Sequence, residues 1–256
     1  MNILVCVKLV PATTQVEIDG QFRLKRDGVS LELNVADLSA VEAALRLRGQ
    51  DDTVTVITMG PPKGEAALKE LLPRGADRAI LLTDPKLGGA DTRATALALA
   101  AAARRAGPFD LILCGRKAID GETGQLPGEL AAALGFPSVT NCESVERAGE
   151  GLLLRRRLES GIAVLTVERP AVVTMCEYVC PLRLPSIKGM RQARGKEVEK
   201  HTAADLGLPP EHCGLKGSVT RVVKTDSKFP GLRKGPKETD LKAGAQRIRE
   251  LVEAVR

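Results

Sequence analysis

The sequence predicts an α/β fold: a parallel sheet with helices on both faces, added β-hairpins and an extended C-terminal arm. Three observations predict this fold. Apolar runs alternate with helical segments over residues 1–135, the pattern of strands joined by crossover helices. Hairpin-like runs follow over residues 152–176. From Lys188 onward the alternation stops, and proline and glycine interrupt a polar, basic stretch.

Four apolar runs in the first half of the chain predict core strands. Continuous runs of this kind are typical of parallel strands that are buried on both faces. Because aromatic residues make up only 2% of the chain, we expect a core of Val, Ile, Leu and Ala. The four predicted strands cover residues 3–10, 53–59, 79–82 and 111–115.

Four helices are predicted between and after these strands. The first contains apolar residues at helical spacing and ends at Gly49, and the third has Asp91 as its N-cap. They cover residues 38–48, 63–72, 92–106 and 129–134.

Several further segments predict hairpins and one more helix. Residues 16–24 alternate around Asp19-Gly20, a strong two-residue turn signal. The strand-like runs 152–158, 162–168 and 171–176 suggest hairpins that belong to the same domain. A last helix is predicted over about 239–255.

Charge is distributed unevenly along the 256 residues, which carry a net charge of +6. Residues 1–187 hold 22 basic and 23 acidic side chains (net −1), whereas residues 188–256 hold 16 and 9 (net +7). We therefore predict an α/β domain over 1–187 and a basic arm with a terminal helix over 188–256. An arm that docks on another protein fits this segment better than a second packed domain.

Several classes of protein are excluded by the sequence. No apolar run reaches the roughly 18–20 residues of a membrane span, and no signal peptide is recognisable at the N-terminus. Scattered cysteines without a CxxC pair indicate reduced thiols. We therefore predict a cytoplasmic protein without membrane insertion and, because His201, His212 and Cys213 match no zinc spacing, without a metal site.

The basic arm also raises the possibility of nucleic-acid binding. Phe229 is the only aromatic residue beyond Tyr178, so the arm has no stacking platform for single strands, and nine acidic residues weaken its field. We predict no nucleic-acid partner.

The segment 115–128 is the best candidate for a functional site. It follows a predicted strand and mixes glycines with hydroxyl and amide groups. Ligands of open α/β sheets bind at the carboxyl ends of strands, where free backbone N–H groups attract phosphate. From spacing alone, nucleotide binding is only slightly favoured over an ordinary loop with a capping Thr123. Neither a Walker motif nor GxGxxG is present, which argues against an ATPase or an ordinary NAD dehydrogenase.

The order and spacing of several motifs resemble the beta subunit of electron transfer flavoproteins. Each motif is weak alone, and together they cover most of the chain. They are Ile3-Leu-Val-Cys-Val-Lys8, Leu33-Asn34-Val-Ala-Asp37, Met59-Gly-Pro, Arg74-Gly-Ala-Asp-Arg78, the 115–128 loop, Pro170-Ala-Val-Val-Thr174 and Gly214-Leu-Lys-Gly-Ser218.

This resemblance implies a Rossmann-like sheet related to the adenine nucleotide alpha-hydrolases. It also implies a heterodimer whose alpha subunit carries the electron-transferring FAD. In ordinary members of the family the beta subunit holds AMP, and in the bifurcating type it holds a second FAD at the same place. The sequence of residues 118–125 is more similar to the FAD-holding type. Leu126-Pro127-Gly128, however, replaces the apolar-Gly-Pro order that is more usual in the family. The resemblance therefore does not decide between FAD and AMP.

Carried over by position, the resemblance implies a nucleotide pocket and no catalytic acid, base or nucleophile. The implied pocket residues are Cys6, Lys8, Asn34, Asp37, Met59, Asp120, Gly121, Glu122, Thr123, Gly124, Gln125, Leu126, Pro127 and Gly128.

The implied function is electron transfer from a dehydrogenase towards an acceptor through the alpha-subunit FAD. A flavin-dependent dehydrogenase is expected to dock near residues 175–188, although this segment is shorter than its family counterpart. The alternative is a stand-alone adenine-nucleotide-binding enzyme or sensor of the same fold.

Overall fold

The computed structural model describes residues 1–12, 30–223 and 238–254. The chain divides into two compact units, Met1–Arg221 and Val222–Arg256. The hairpin predicted over 16–24 lies outside the described residues.

The first unit contains all the described strands. In chain order they are β1 (Asn2–Cys6), β2 (Leu9–Pro11), β3 (Leu31–Leu33), β4 (Thr53–Met59), β5 (Arg78–Leu82), β6 (Leu111–Gly115), β7 (Ser138–Ala148), β8 (Gly151–Leu158), β9 (Gly161–Val167), β10 (Ala171–Met175) and β11 (Glu199–His201).

Helices connect these strands. They are α1 (Val35–Leu47), α2 (Gly64–Lys69), α3 (Thr92–Ala106), α4 (Leu126–Leu134), α5 (Ile187–Ala193), α6 (Gly214–Gly217) and α7 (Leu241–Ala254), with short 3₁₀ turns at Leu72–Arg74, Pro85–Leu87 and Pro210–His212.

Nine of the described strands form one sheet in the order β11-β5-β4-β1-β6-β10-β7-β8-β9. Neighbours from β11 through to β7 are parallel, and β7-β8-β9 are antiparallel. β2 and β3 form a separate antiparallel pair. The parallel α/β sheet predicted from the sequence is confirmed.

Alternate residues of β1 contribute to two cores, one on each face of the sheet. Ile3 and Val5 pack in a cluster with α1 and α2, whereas Leu4 and Cys6 pack in a cluster with α3 and α4. Since successive side chains of a strand point to opposite faces, this explains why the strand sequence is apolar throughout.

The first predicted strand is interrupted after Cys6. The Val7 N–H still bonds the carbonyl of Ile57, but the Lys8 N–H donates to the Asp37 carboxylate instead of to a neighbouring strand. The ladder therefore ends, and Leu9–Pro11 pairs separately with β3.

The hairpin region differs from its prediction in two respects. β8 and β9 form an antiparallel hairpin as predicted, but β10 inserts between β6 and β7 as a parallel core strand. β7, whose residues are mostly polar, was not predicted as a strand. It pairs with both β10 and β8, so tertiary pairing outweighs its weak strand pattern.

The structural boundary of the arm lies later than the sequence boundary at Lys188. β11 pairs in parallel with β5, and Arg78 holds Glu199 through two hydrogen bonds of 2.9 and 3.0 Å. Residues 188–221 therefore belong to the first compact unit.

The described part of the second unit contains α7, close to the helix predicted over 239–255. Its apolar residues Leu241, Ile248, Leu251 and Val252 are all exposed. Among the described residues, no helix is both long enough and apolar enough to span a membrane.

Candidate functional site

The candidate site lies where the strand order reverses. From β1 the chain proceeds outward to β4 and β5, then returns to the other side of β1 as β6. The crevice outside the carboxyl ends of β1 and β6 is thus a topological switch point, the place where open α/β sheets bind ligands.

Asp37, in the first turn of α1, joins the ends of these two strands. Its Oδ2 accepts the Lys8 N–H at 2.8 Å and its Oδ1 accepts the Gly115 N–H at 3.0 Å. The carboxyl is buried. Burial raises its pKa from 3.8 to about 7, although hydrogen bonds from Asn34, Lys8 and Gly115 act in the opposite direction.

Gly115 is required at the end of β6 because α1 approaches it closely. A Cβ at this position would lie 2.2 Å from Asp37 Oδ1 and 2.7 Å from the Asp37 nitrogen. A glycine lets the first turn of α1 reach the strand end and lets the carboxylate reach both N–H groups.

Asn34 fixes the start of the 115–128 loop. It is fully buried, its Nδ2 donates to the Lys117 carbonyl at 3.0 Å, and its Oδ1 accepts the Ile119 N–H at 3.2 Å. Both ends of the amide are therefore used by backbone groups, so Asn34 positions the loop.

Two ion pairs continue this arrangement into the loop. Lys8 Nζ lies 2.6 Å from Asp120 Oδ1, and Lys117 Nζ lies 2.8 Å from Glu122 Oε1. The side chain of Lys8 is 43% exposed whereas that of Asp120 is 5% exposed. A cation therefore faces solvent at the end of β1.

The middle of the loop forms an open rim. Residues 121–125 are all exposed, and Glu122 and Gly124 adopt positive φ values of 51° and 63°. A Cβ at Gly121 or Gly128 would meet no atom within 4 Å. Space is therefore available beside the backbone at both glycines.

The N-terminus of α3 lies beside this rim. Asp91 caps the helix through the Ala94 N–H at 2.9 Å, as predicted, and its other oxygen accepts the N–H groups of Val219 and Thr220. The Asp91 N–H in turn donates to Ser218 Oγ at 2.8 Å. The segment after α6 is thereby fastened to the start of α3.

Thr92 links α3 to the loop and to α4. Its Oγ1 lies 3.3 Å from Gln125 Oε1 and 3.1 Å from Glu129 Oε1. The other carboxylate oxygen of Glu129 is buried without a hydrogen-bond partner among the described residues. A buried acceptor of this kind is costly unless a donor satisfies it.

The structure brings some of the residues implied by the resemblance together and assigns others to packing. Lys8, Asn34, Asp37 and Asp120 form one hydrogen-bonded group, and residues 121–125 with Gly128 form its exposed rim. The remaining four have side chains in or against the core: Cys6, Met59, Leu126 and Pro127.

Sequence reasoning did not find the contacts that five residues make in this region. Gly115 and Ser218 lie in motifs that carry the resemblance, Asp91 was expected only as a helix cap, and Thr92 and Glu129 were expected only at the start of predicted helices. Only tertiary contacts give these five residues their roles at the site.

A cavity of about 460 Å³ lies elsewhere, between the last turns of α1, β7 and the segment after β10. None of the pocket residues implied by the resemblance lines it. Among the described residues no cluster of His, Cys, Asp and Glu could hold a metal ion.

The fold and the position of the site define a doubly wound α/β protein of the kind that binds ligands at a switch point. Residues 21–206 match the family model described as electron transfer flavoprotein domain. The chain belongs to this family and, within it, to the beta subunits.

Several characterised relatives are similar in sequence to this chain over most of its length. The electron transfer flavoprotein subunit beta of Thermoanaerobacterium thermosaccharolyticum is 44% identical over 230 residues, which cover 89% of this chain and 88% of the relative. The caffeyl-CoA reductase-Etf complex subunit CarD of Acetobacterium woodii is 39% identical with the same coverage. Protein FixA of Azorhizobium caulinodans is 39% identical over 232 residues, 87% of this chain and 83% of FixA.

Proposed function

We propose that this beta subunit holds FAD in the crevice at the β1/β6 switch point, with AMP as the alternative occupant. The observation that carries the proposal is the Asp37–Asn34 network. It uses buried polar groups to hold the 115–128 loop with its rim exposed beside a lysine. A buried network at a strand-order reversal is more than an ordinary loop connection requires.

The residues present fit an adenine nucleotide. Lys8 supplies a cation, Gly121 and Gly128 leave room for close backbone approach, and Glu129 supplies a buried acceptor that has no donor in the part of the chain that the structure describes. Phosphates suit the lysine and the helix N-termini, whereas ribose hydroxyls or an adenine amine suit the carboxylate.

Within the proposed complex, the flavin supplies the electron-transfer chemistry. The chain itself would bind and orient the nucleotide: Lys8 would hold a phosphate through its exposed ammonium group and the 121–125 rim would contribute backbone N–H groups, while Asp37 joins the ends of β1 and β6. No side chain of the site is needed as a general acid or nucleophile.

The nucleotide released from the purified heterodimer tests this proposal. The beta subunit is co-expressed with its alpha subunit, and the complex is denatured and analysed by chromatography and mass spectrometry. Two flavins per heterodimer would support FAD in this subunit, and one flavin plus AMP would select the alternative. A single flavin without AMP contradicts the proposal. Lys8→Met is expected to lower nucleotide content, with Lys69→Met, which removes a surface lysine paired with Glu65, as the matched control.

We further propose that a flavin-dependent dehydrogenase docks near residues 175–188 and that electrons pass through the alpha-subunit FAD. The segment exposes large apolar side chains: Tyr178 is 77% exposed, Leu184 83% and Ile187 75%. Exposed apolar residues concentrated on one short segment are typical of a partner contact.

Replacement of Leu184 tests the docking segment. Leu184→Ser should raise the KM of a dehydrogenase for the heterodimer about tenfold, because an apolar anchor is lost. The nucleotide content should not change. Val164→Ser, which alters an exposed apolar residue of β9, is the control. An unchanged KM in Leu184→Ser would refute docking at this segment.

A further inference from the structure

The proposed docking segment is held by a buried carboxylate that lies outside the nucleotide site. Glu42, near the middle of α1, is 3% exposed. Its Oε2 accepts the backbone N–H of Arg183 at 3.1 Å and Arg183 Nε at 2.9 Å. Its Oε1 accepts Arg183 Nη2 at 3.0 Å and Arg46 Nε at 2.9 Å.

This geometry restrains the main chain as well as the side chain. The guanidinium of Arg183 meets Glu42 as a two-bond fork, which sets its orientation. The third bond, from the Arg183 N–H, fixes the backbone immediately before Leu184. The four hydrogen bonds satisfy both oxygens of a carboxylate that is costly to bury.

A second contact fixes the far end of the segment. Gly189, in α5, packs so closely on the turn at Leu72–Arg74 that a Cβ would lie 2.1 Å from the Pro73 carbonyl oxygen. Ser186 caps the start of α5 through the Gly189 N–H at 2.9 Å. Leu184 and Ile187 therefore lie between two fixed points and project outward.

The near end of the segment borders a cavity and is anchored by apolar side chains. Val179 and Cys180 line the 460 Å³ cavity beside α1. Cys180 is buried, and Val179 and Leu182 pack against the core cluster to which it belongs. Immediately beyond them, the segment is held by the bonds of Arg183 to Glu42.

We propose that Glu42 is a positioning residue for electron-donor docking: its bonds to Arg183 hold Leu184 in the orientation that a dehydrogenase meets. This inference rests on the docking proposed above. Preorganising an interface segment lowers the entropy lost on association. Glu42 consequently acts on complex formation, and its hydrogen bonds within the described chain go to Arg183 and Arg46 rather than to residues of the nucleotide site.

The test compares Glu42→Gln with Glu150→Gln in the heterodimer. Both changes neutralise a glutamate that pairs with an arginine, but Glu150 is exposed and bonds Arg169 at 3.2 Å. Glu42→Gln should raise the KM of the dehydrogenase for the heterodimer about tenfold, with kcat and flavin content unchanged. Amide hydrogen exchange in a peptide covering 181–188 should accelerate about tenfold. Glu150→Gln should change neither.

Arg183→Lys provides a second variant that leaves the Glu42–Arg46 pair intact. A lysine keeps the positive charge but cannot form the fork, so an intermediate rise in KM is expected. This variant keeps the test valid if Glu42→Gln does not fold.

The outcomes separate this inference from the docking proposal. If Leu184→Ser raises KM while Glu42→Gln and Arg183→Lys leave KM and exchange unchanged, the positioning role is refuted and docking stands. If kcat and flavin content fall while KM rises, Glu42 has a general structural role and the inference is also refuted. If Leu184→Ser has no effect, docking at this segment fails and the inference fails with it.

Discussion

Asp37 combines two opposing influences on one carboxyl group. The N–H groups of Lys8 and Gly115 favour its ionised form, whereas its burial favours the neutral form. Burial has the larger effect, which places the pKa at about 7. The group that joins the two central strand ends can therefore change its charge near neutral pH.

This pKa predicts a specific pH dependence of stability. The folded pKa of about 7 lies above the ordinary value of 3.8, so between these values the folded state binds more protons than the unfolded state. The contribution of Asp37 is then fully present below about pH 4 and is lost as the pH rises to about 7, by at most about 1.4 kcal/mol per pH unit.

Asp37→Asn isolates this effect, because asparagine does not titrate. The thermal midpoint of the wild-type heterodimer minus that of the variant should decrease as the pH is raised from 4 to 7. A value that stays constant, or that increases, over this range would contradict the raised pKa.

At the scale of elements, Asp91 connects α3 to the segment that follows α6. One oxygen caps α3 through the Ala94 N–H, and the other accepts two N–H groups and the Thr220 hydroxyl. Burial raises the pKa of Asp91, but these hydrogen bonds outweigh it and the pKa is lowered. The same residue therefore begins a helix and anchors a distant loop.

Asp91→Ala should lower the free energy of unfolding of the first unit by about 2 kcal/mol, since it removes a helix cap and leaves three further donors without their acceptor. Urea unfolding followed by circular dichroism measures the change. Asp240→Ala removes the acceptor of two N–H groups at the start of α7 and should leave the first unit unchanged. An unchanged free energy of unfolding in Asp91→Ala would show that neither contact of Asp91 stabilises the first unit.

Elements with strong local sequence signals were predicted correctly, whereas elements defined by pairing with distant strands were not. α3 was predicted with its exact bounds because Asp91, the small-residue helix and Gly107 are local signals. β7 was missed because its strand is defined by pairing with β10 and β8 rather than by apolar alternation. β10 was assigned to a hairpin because an apolar run does not state which strand it will pair with.

For the candidate site, the sequence likewise indicated the residues in local motifs but not the contacts between distant segments. Lys8, Asn34, Asp37 and the 121–125 rim lie in motifs that the sequence displays. The contacts of Gly115 with Asp37, and of Ser218 with Asp91, join residues 78 and 127 positions apart. No local pattern encodes such distant contacts, so only the folded sheet reveals them.

At the scale of the whole molecule, the boundary between the two units decides where the chain should be shortened to test whether the C-terminal arm binds a partner. A chain ending at residue 187 would lose β11 and the segment that bonds Asp91, both of which belong to the first unit. Residues 222–256 hold nine basic and five acidic side chains, a net charge of +4. This shorter segment is the part that we propose contacts an acidic surface of the alpha subunit.

A chain ending at Arg221 should keep the fold of the first unit and bind the alpha subunit at least about tenfold more weakly, because α7 exposes four large apolar residues and carries basic charge. Calorimetry or surface plasmon resonance measures the affinity, and circular dichroism checks the fold. The full-length variant Ile248→Ser/Leu251→Ser is expected to weaken binding in the same direction. Full affinity of the shortened chain would remove the arm from the interface.

The sequence by itself determined the α/β class, four core strands, the helix α3 and the family to which the chain belongs. Each follows from local apolar periodicity, helix caps and ordered motifs. Only the tertiary structure decided the strand order, the parallel position of β10, the end of the first unit at Arg221 and the joining of Asp37 to two strand ends. These features depend on backbone hydrogen bonds and close contacts between distant segments, and such contacts are formed only when the sheet is assembled.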